Sequence, residues 1–510
     1  MELLGNLWLG LQVAVEPVTL WYCFFGVFLG TVVGVLPGIG ALAAISLLLP
    51  LTYHMTPTAA IIMLAGVYYG AQYGGSTASI LLNLPGTPSS AVTCLDGYPM
   101  AKNGKAGIAL FVTTIASLVG AMSGLILMVL FSPLIANIGL SFGPAEFFSM
   151  MLLGLVAASS ISSGSAAKGL AMVVFGLLLG MVGTDVNSGV PRYYFGVPEL
   201  MDGISLVALA MGLFGVAEVV RCVNSSDLTG KVAKVPLRSM VPSKQEFKTT
   251  VMPMVRGSGL GAALGALPGV GPSIASFLSY AIEKRVAKDP SRFGKGAVEG
   301  ICAPESANNA AAQTAFIPSL SLGIPGDAVM AVMLGALIIH GIQPGPMFIT
   351  EQPEMFWGLV VSFAIGNIML VILNLPTIGL WVALLRIPFS WMYPAILVFV
   401  ALGVYSVNNN VFDIYSVAVL GIMGYALMVL KFEPAPLLLG YILGPMLEEY
   451  LRRAMLISRG DPAIFVQRPI SASLLAITAA LLLWAIWSTV RSSIKAKQQL
   501  ETAERLAQAS

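Results

Sequence analysis

The chain has 510 residues, 57% apolar and only 10% charged, with a mean hydropathy of +0.87. Soluble proteins carry roughly 25% charged residues, so this composition excludes a soluble globular domain and points to an integral membrane protein. A net charge of +2 gives no sign of a nucleic-acid partner. The four scattered cysteines, Cys23, Cys94, Cys222 and Cys302, have neither metal nor disulfide spacing and read as small buried apolar residues.

The opening MELLGNLWLG has no basic n-region and no small-residue cleavage site, so it does not read as a removable signal peptide. Apolar segments that suit membrane spans follow near 18–35, 58–82, 107–131, 145–158, 169–184 and 204–220. More follow at 251–282 and 306–340 (both interrupted), 357–376, 392–406, 414–430 and 472–490. Only helices and closed barrels satisfy their backbone in lipid. The runs are long and continuous, without the ~10-residue alternation of a barrel. The expected fold is therefore an all-α polytopic bundle of about twelve transmembrane helices.

The sequence also repeats itself. Residues 26–40, GVFLGTVVGVLPGIG, match 257–271, GSGLGAALGALPGVG, at eight of fifteen positions with an offset of 231. Residues 79–86, SILLNLPG, echo 319–326, SLSLGIPG, at an offset of 240, and Ala91/Ala331 and Val92/Val332 continue the match. Two motifs recurring in one order divide the chain into two homologous halves, 1–222 and 257–470. A basic linker, 223–256, joins them. A final span at 471–490 and a polar tail at 491–510 complete the chain.

Loop charge orients the halves. Short cytoplasmic loops collect Lys and Arg. LTYHMTP (51–57) carries none, whereas its counterpart EKRVAKDPSRFGK (283–295) carries five. After the second motif the sign reverses: 97–107 has Lys102 and Lys105, while 341–354 has only Glu351 and Glu354. Late in each half, 185–203 is acidic and 450–468 holds Arg452, Arg453, Arg459 and Arg468. Equivalent loops on opposite sides mean an inverted-topology repeat, an architecture of secondary transporters. The tail, with Arg491 and Lys495, would then lie outside, against the same rule, and its side stays open.

Each LPGxG motif reads as the tip of a re-entrant hairpin, at Pro37, Gly38 and Gly40 and at Pro268, Gly269 and Gly271. Irregular backbone at membrane depth is tolerated where protein covers it or it lines a cavity. The Gly26/Gly30/Gly34 ladder reads as close helix packing. In NLPGTPSSAV (83–92), Thr87 before Pro88 reads as an N-cap, and Asp327 holds that place in GIPGDAVMAV (323–332). Helices starting there would aim free N–H groups and a positive dipole end into the breaks, a setting for an organic anion. The substrate-binding candidates are Ser76, Thr77, Asn83, Gly86 and Thr87 in one half, with Asn308, Asn309, Gln313 and Gly326 in the other. Ser79, Ser319 and Asp327 are the ion-coupling candidates, with a sodium ion as the bound cation and no other cofactor. Asp327 remains open between a plain cap and an ion or proton role, and Glu305 between gating or coordination and a solvated helix start. His54 reads as incidental, and His340 as a helix-end cap with a proton relay as the alternative. No Lys or Arg lies in 17–95, 257–283 or 305–350.

The same residues carry a resemblance. GVLPGIG, YGGSTASILLNLPGTPSSAVTCLDGYPMAKNGKAG, APESANNAAAQTAFIPSLSLGIPGDAVMAVMLGALIIHGIQPGP and PAPLLLGYILGPMLEEYLRRAM resemble the large membrane subunit of the tripartite tricarboxylate transporter family. The resemblance implies a multi-pass protein of the bacterial inner membrane, partnered by a small four-helix membrane subunit and a periplasmic solute-binding protein. It implies import of a carboxylate, citrate-like or a dicarboxylate or aromatic acid, driven by a sodium or proton gradient. The absence of a Walker motif agrees with gradient coupling. An anion channel is the competing reading. A membrane-embedded enzyme finds no support, since the sequence has no HExxH, no GxSxG and no second membrane aspartate to partner Asp327.

Overall fold

The computed structural model describes residues 2–36, 40–161, 166–185, 188–223, 237–267, 270–385, 389–484 and 486–487. Pro37, Gly38, Pro268 and Gly269, the expected hairpin tips, lie outside the described residues. The first half opens with α1 (Glu2–Ala14), α2 (Pro17–Val35), α3 (Gly40–Thr52) and α4 (Pro57–Leu82), followed by α5 (Thr93–Met100) and α6 (Ala106–Gly139). Then come α7 (Pro144–Ile161), α8 (Ala166–Gly180), a two-residue hairpin pairing Gly183–Thr184 with Pro191–Arg192, and α9 (Leu206–Ala210) and α10 (Ala217–Val223). The second half runs through α11 (Lys244–Gly265), α12 (Gly271–Val286), α13 (Glu299–Thr314), α14 (Phe316–Leu322), α15 (Ala328–Ile339), α16 (Phe348–Glu351) and α17 (Pro353–Asn374). It ends with α18 (Ile378–Leu384), α19 (Phe389–Asn408), α20 (Val411–Val429), α21 (Pro434–Ile457) and α22 (Ile464–Gln467).

The protein is an all-α membrane protein. Among the described residues four helical stretches are long and apolar enough to cross a bilayer: Pro17–Val35, Thr93–Gly139, Pro353–Asn374 and Val411–Val429. Seven shorter apolar helices accompany them. The interrupted segments 251–282 and 306–340 are chains of shorter helices, α11–α12 and α13–α15. The expected single segment 204–220 is α9 and α10 joined by a π-helical stretch, Met211–Val216. Among the helices with no counterpart in the expected spans are α1 and α21. In α21 Glu448, Glu449, Arg452 and Arg453 interrupt the apolar run that a hydropathy reading requires, whereas α1, at 13 residues, is apolar but shorter than a span.

The chain forms two compact units, each drawing on both halves: Met1–Ser141 with Ser205–Ala426, and Phe142–Ile204 with the chain from Leu427 on. In the second unit α8 packs on α21 through small residues, Gly176 against the Leu437 carbonyl and Gly440 against that of Val173. Arg192 bonds Glu448 at 2.9 Å, and Arg452 reaches both Glu448, at 2.6 Å, and Asp185, at 3.0 Å. Arg468 pairs with the buried Glu146 at 2.5 Å.

The first unit holds both motifs. Glycines set the spacing of α2 on α4, because a Cβ on Gly26, Gly30 or Gly34 would collide with the carbonyl oxygen of Met63, Val67 or Ala71. In the second half Gly257, Gly261 and Gly265 of α11 meet the carbonyls of Ala303, Ala307 and Ala311 of α13 in the same way. The glycines are related by 231 and their partners by 240, the two offsets of the sequence repeat. Each pair is then clasped by the long helix of the other half. On α6, Gly120 and Gly124 abut the carbonyls of Ser306 and Ala310 of α13. On α17, Gly366 abuts the Tyr69 ring of α4, and Asn367 accepts from Tyr73 at 3.0 Å. The arms after the LPGxG motifs also cross over, α3 packing on α15 and α12 on the Pro88–Ala91 turn.

Candidate functional site

The two arms restart at Gly40 and Gly271, both left-handed, with φ of 69° and 64°. Only glycine takes that conformation without strain, so an abrupt reversal is written into each motif. At 13 residues α3 is about 20 Å long, short of the ~30 Å hydrocarbon core.

The second break of each half is built on one plan. Asn83 ends α4 in the left-handed region (φ 59°), and Gly323, at the offset of 240, ends α14 there (φ 72°). Gly86 and Gly326 follow three residues later. A Cβ on Gly86 would lie 2.8 Å from Gly75 Cα, and one on Gly326 2.9 Å from Ala315 Cβ, again equivalent positions. Ser79 Oγ lies 3.0 Å from the Gly75 carbonyl and 2.9 Å from that of Ser90. Ser319 donates to the Ala315 carbonyl at 2.7 Å and accepts from Gly326 N–H at 3.2 Å.

What caps each break differs. Thr87 N–H donates to Ser90 Oγ at 3.1 Å, and the helix it begins is one 3₁₀ turn, Pro88–Ala91. Asp327 caps the twelve-residue α15, one carboxylate oxygen accepting from Met330 N–H at 2.8 Å and the other from Tyr68 of α4. The expectation of two free helix N-termini is corrected accordingly. One terminus is too short to carry a dipole, and the other already holds a carboxylate.

Between the breaks runs a polar network. Ser89 donates to Gln72 Oε1 at 2.5 Å, its hydroxyl lies 3.0 Å from that of Thr87, and its carbonyl accepts from Ser276 of α12 at 2.8 Å. Both α12 and α13 touch the Pro88–Ala91 turn. On α13, Asn308 donates to Glu305 at 3.2 Å, and Asn309 donates to Asn308 Oδ1 at 2.6 Å and to the Glu305 carbonyl at 3.0 Å. Asn309 Oδ1 and both polar atoms of the Gln313 amide are buried without a partner. Buried polar atoms of this kind mark a place for water or a ligand.

Of the sequence candidates, the structure groups Asn308, Asn309 and Gln313 on α13, and Ser79 and Thr87 at the first break. Asp327, Ser319 and Gly326 gather at the other break. Ser76 turns to the carbonyl of Tyr73 in its own helix at 2.9 Å, Thr77 is buried, and Asn83 is exposed. Glu305 is not at a solvated helix start but wholly buried within α13. Asp96 is likewise fully buried, accepting from the N–H groups of Gly294, Gly296 and Ala297 and from Tyr280. No lysine or arginine is among the described buried residues. His340 closes α15, as expected of a cap, and His54 is exposed. Gln72, Ser89, Ser276 and Asp96 were outside the sequence candidates. Helical spacing places Gln72 four residues after Tyr68 on the face of α4 that meets the breaks, the one signal that could have found it.

A family model described as "Tripartite tricarboxylate transporter TctA family" matches residues 20–439. The chain belongs to the TctA family. It is therefore a large subunit of a tripartite tricarboxylate transporter, a member of a transporter family and not of an enzyme family. Two relatives come from Agrobacterium vitis. An uncharacterized 52.8 kDa protein of the TAR-I ttuC' 3' region is 52% identical over 96% of this chain and 98% of its own length. An uncharacterized protein of the TAR-II ttuC' 3' region is 57% identical over 46% of this chain and 96% of its own length. No solved structure gives a significant match. TctA membership fits a fold in which the matched region takes in both motifs, both breaks and the α13 cluster.

Proposed function

We propose that this chain carries a carboxylate inward across the bacterial inner membrane, using a cation gradient. A citrate-like tricarboxylate is the leading substrate, with dicarboxylates and aromatic acids the wider class. A periplasmic solute-binding protein delivers the substrate, and a small four-helix membrane subunit accompanies this one. The chain is two copies of one unit, inserted in opposite senses and crossing the membrane about twelve times. The observation that carries this reading is the repetition of contacts: glycine by glycine and carbonyl by carbonyl, the α2–α4 packing recurs in α11–α13 at the offsets of the sequence repeat.

The site chemistry follows from charge. No buried lysine or arginine among the described residues waits for the anion. A substrate carboxylate at the breaks would instead meet Asn308, Asn309, Gln313, Thr87 and the backbone at Gly86 and Gly326. It would also meet the carboxylate of Asp327, which repels it. A cation held by Asp327 and Ser319 removes that repulsion, so cation and substrate bind best together, which is coupling. Neutral donors also let a polyanion leave, where a fixed cation would retain it. The gradient is needed because each negative charge moved inward against the membrane potential costs about 2.3 kcal/mol per 100 mV. Release follows a movement of one helical bundle against another.

The test is citrate uptake into proteoliposomes that hold this chain and the small subunit, with the binding protein supplied outside and an imposed sodium or proton gradient. Uptake that stops when either the gradient or the binding protein is withheld supports the reading. Uptake that needs neither refutes it.

A further inference from the structure

We infer that Glu305 is a proton-binding site, whose carboxyl group takes up and releases one proton in each transport cycle; as a coupling site it rests on the importer reading above. Its side chain is 0% exposed. Neutral donors reach it, Thr93 Oγ1 of α5 at 2.6 Å on one oxygen and Asn308 Nδ2 at 3.2 Å on the other, with the buried Ser117 hydroxyl of α6 beside them. Neutral donors stabilise an anion but do not cancel its charge, and an unpaired buried carboxylate is costly enough to bind a cation instead.

No basic side chain among the described residues approaches it. On α5 the titratable groups are Cys94, Asp96 and Tyr98, and Asp96 is engaged by three backbone N–H groups and Tyr280. On α11, Lys244, Glu246 and Lys248 sit at the polar end, and Arg256 is bonded to Glu283 of α12 at 2.6 and 2.9 Å. Lys284 and Arg285 lie in the last turn of α12 and are exposed. On α4, Tyr68 and Tyr73 are bonded to Asp327 and Asn367, and Tyr69 faces Cys23. The helices α6 and α14 and the Pro88–Ala91 turn carry no titratable side chain. On α13 itself Glu299 is paired with Arg292 at 2.8 Å and Cys302 is buried.

A proton suits this place better than a metal cation. Helix α13 runs unbroken through Glu305, so its carbonyls are spent in its own hydrogen bonds, apart from that of Gly300, which Pro304 cannot reach. Sodium sites in transporters gather carbonyls from unwound helix, whereas a proton needs one carboxylate oxygen. The orphaned Asn309 Oδ1 and Gln313 amide lie four and eight residues further along α13, on the same side of the helix as Glu305. These are unpartnered buried polar atoms that water would satisfy. Water held there would give the proton a route between Glu305 and the breaks.

Infrared difference spectroscopy of the purified full chain, reconstituted in lipid and titrated with pH, tests this without substrate or partners. The wild type should show a protonated-carboxyl band lost on raising the pH, absent from Glu305→Gln and retained in Asp327→Asn. Thr93→Val removes a donor that favours the anion, so the band should persist to about tenfold lower proton concentration. That variant decides the matter if Glu305→Gln does not fold. A wild type without the band, a band that survives Glu305→Gln, or an unshifted Thr93→Val titration overturns the proposal. So does loss of the band on adding sodium at fixed pH, which would make sodium the bound cation. A chain that has the band but lacks gradient-driven uptake would sink the importer reading and leave the proton site standing.

Discussion

Helices α4 and α13 occupy equivalent places and are lined by different chemistry. Each is gripped along a glycine ladder and clasped by the long helix of the other half. At the offset of 240, Ala65 corresponds to Glu305, Tyr68 to Asn308, Tyr69 to Asn309 and Tyr73 to Gln313. The tyrosines of α4 face outward from their helix to Asp327, Cys23 and Asn367. The amides of α13 bond to one another and to Glu305, and leave polar atoms over. Backbone geometry is thus repeated while side-chain chemistry is not: α4 presents tyrosine hydroxyls and Gln72, and α13 a cluster of amides around Glu305.

The largest expected effect tests the shared scaffold. Gly261→Leu forces a side chain into the Ala307 carbonyl and should cost more than about 3 kcal/mol, removing the monodisperse peak in size-exclusion chromatography. Gly259→Leu, which meets nothing within 4 Å, should leave that peak in place. Equal behaviour of the two would mean the ladder does not set helix spacing.

The next separates the two linings. Asn309→Ala should lower uptake more than tenfold with normal membrane insertion, since a hydrogen bond to a charged group is worth about 1.5–3 kcal/mol, while Tyr69→Phe stays within about twofold, since among the described residues the Tyr69 hydroxyl has a sulfur partner at 4.0 Å. The reverse pattern would move the chemistry to α4. A smaller effect concerns Asn83. Its left-handed φ and the glycine at the equivalent position 323 give it a backbone reason to be there. Asn83→Gly should therefore keep uptake and stability, whereas Asn83→Ala loses about 1 kcal/mol in thermal melts. Loss of uptake in Asn83→Gly would restore its side chain to the substrate site.

The smallest effect lies outside the membrane, where α11 has a start that α2 lacks. Ser243 and Glu246 form a capping box, and Lys105 bonds Glu246 at 2.9 Å. Lys105 first, then Ser243, holds the Glu246 carboxyl down at about 2. A depressed acid stabilises above its unfolded value, near 4.5, and that contribution fades as pH falls through the folded value. Glu246 is partly exposed, so solvent screening keeps the contribution small. Ser243→Ala should cost about 1 kcal/mol, and Glu246→Gln should flatten the acid limb of the melting temperature between those pH values.

Much of this was legible in the sequence because it is local. The Gly26/Gly30/Gly34 ladder and the Asp327 cap follow from residue type and spacing. The short 3₁₀ turn after Thr87 did not, because Pro88 fits the start of either helix type. Nor did the burial of Glu305. A carboxylate in APESANN looks solvated until α5 brings Thr93 to it, a contact between residues 212 apart in the chain. Asp96 was hidden likewise, since its partners lie in the 294–297 loop.

The central claim, that the two halves enter the membrane in opposite senses, is tested most directly by the single substitutions Tyr53→Cys and Lys288→Cys in a background without the native four cysteines. Both positions are exposed. In intact cells a membrane-impermeant maleimide should label the Tyr53→Cys variant and spare the Lys288→Cys variant until the membrane is opened. Equal labelling of the two from one side would contradict the account.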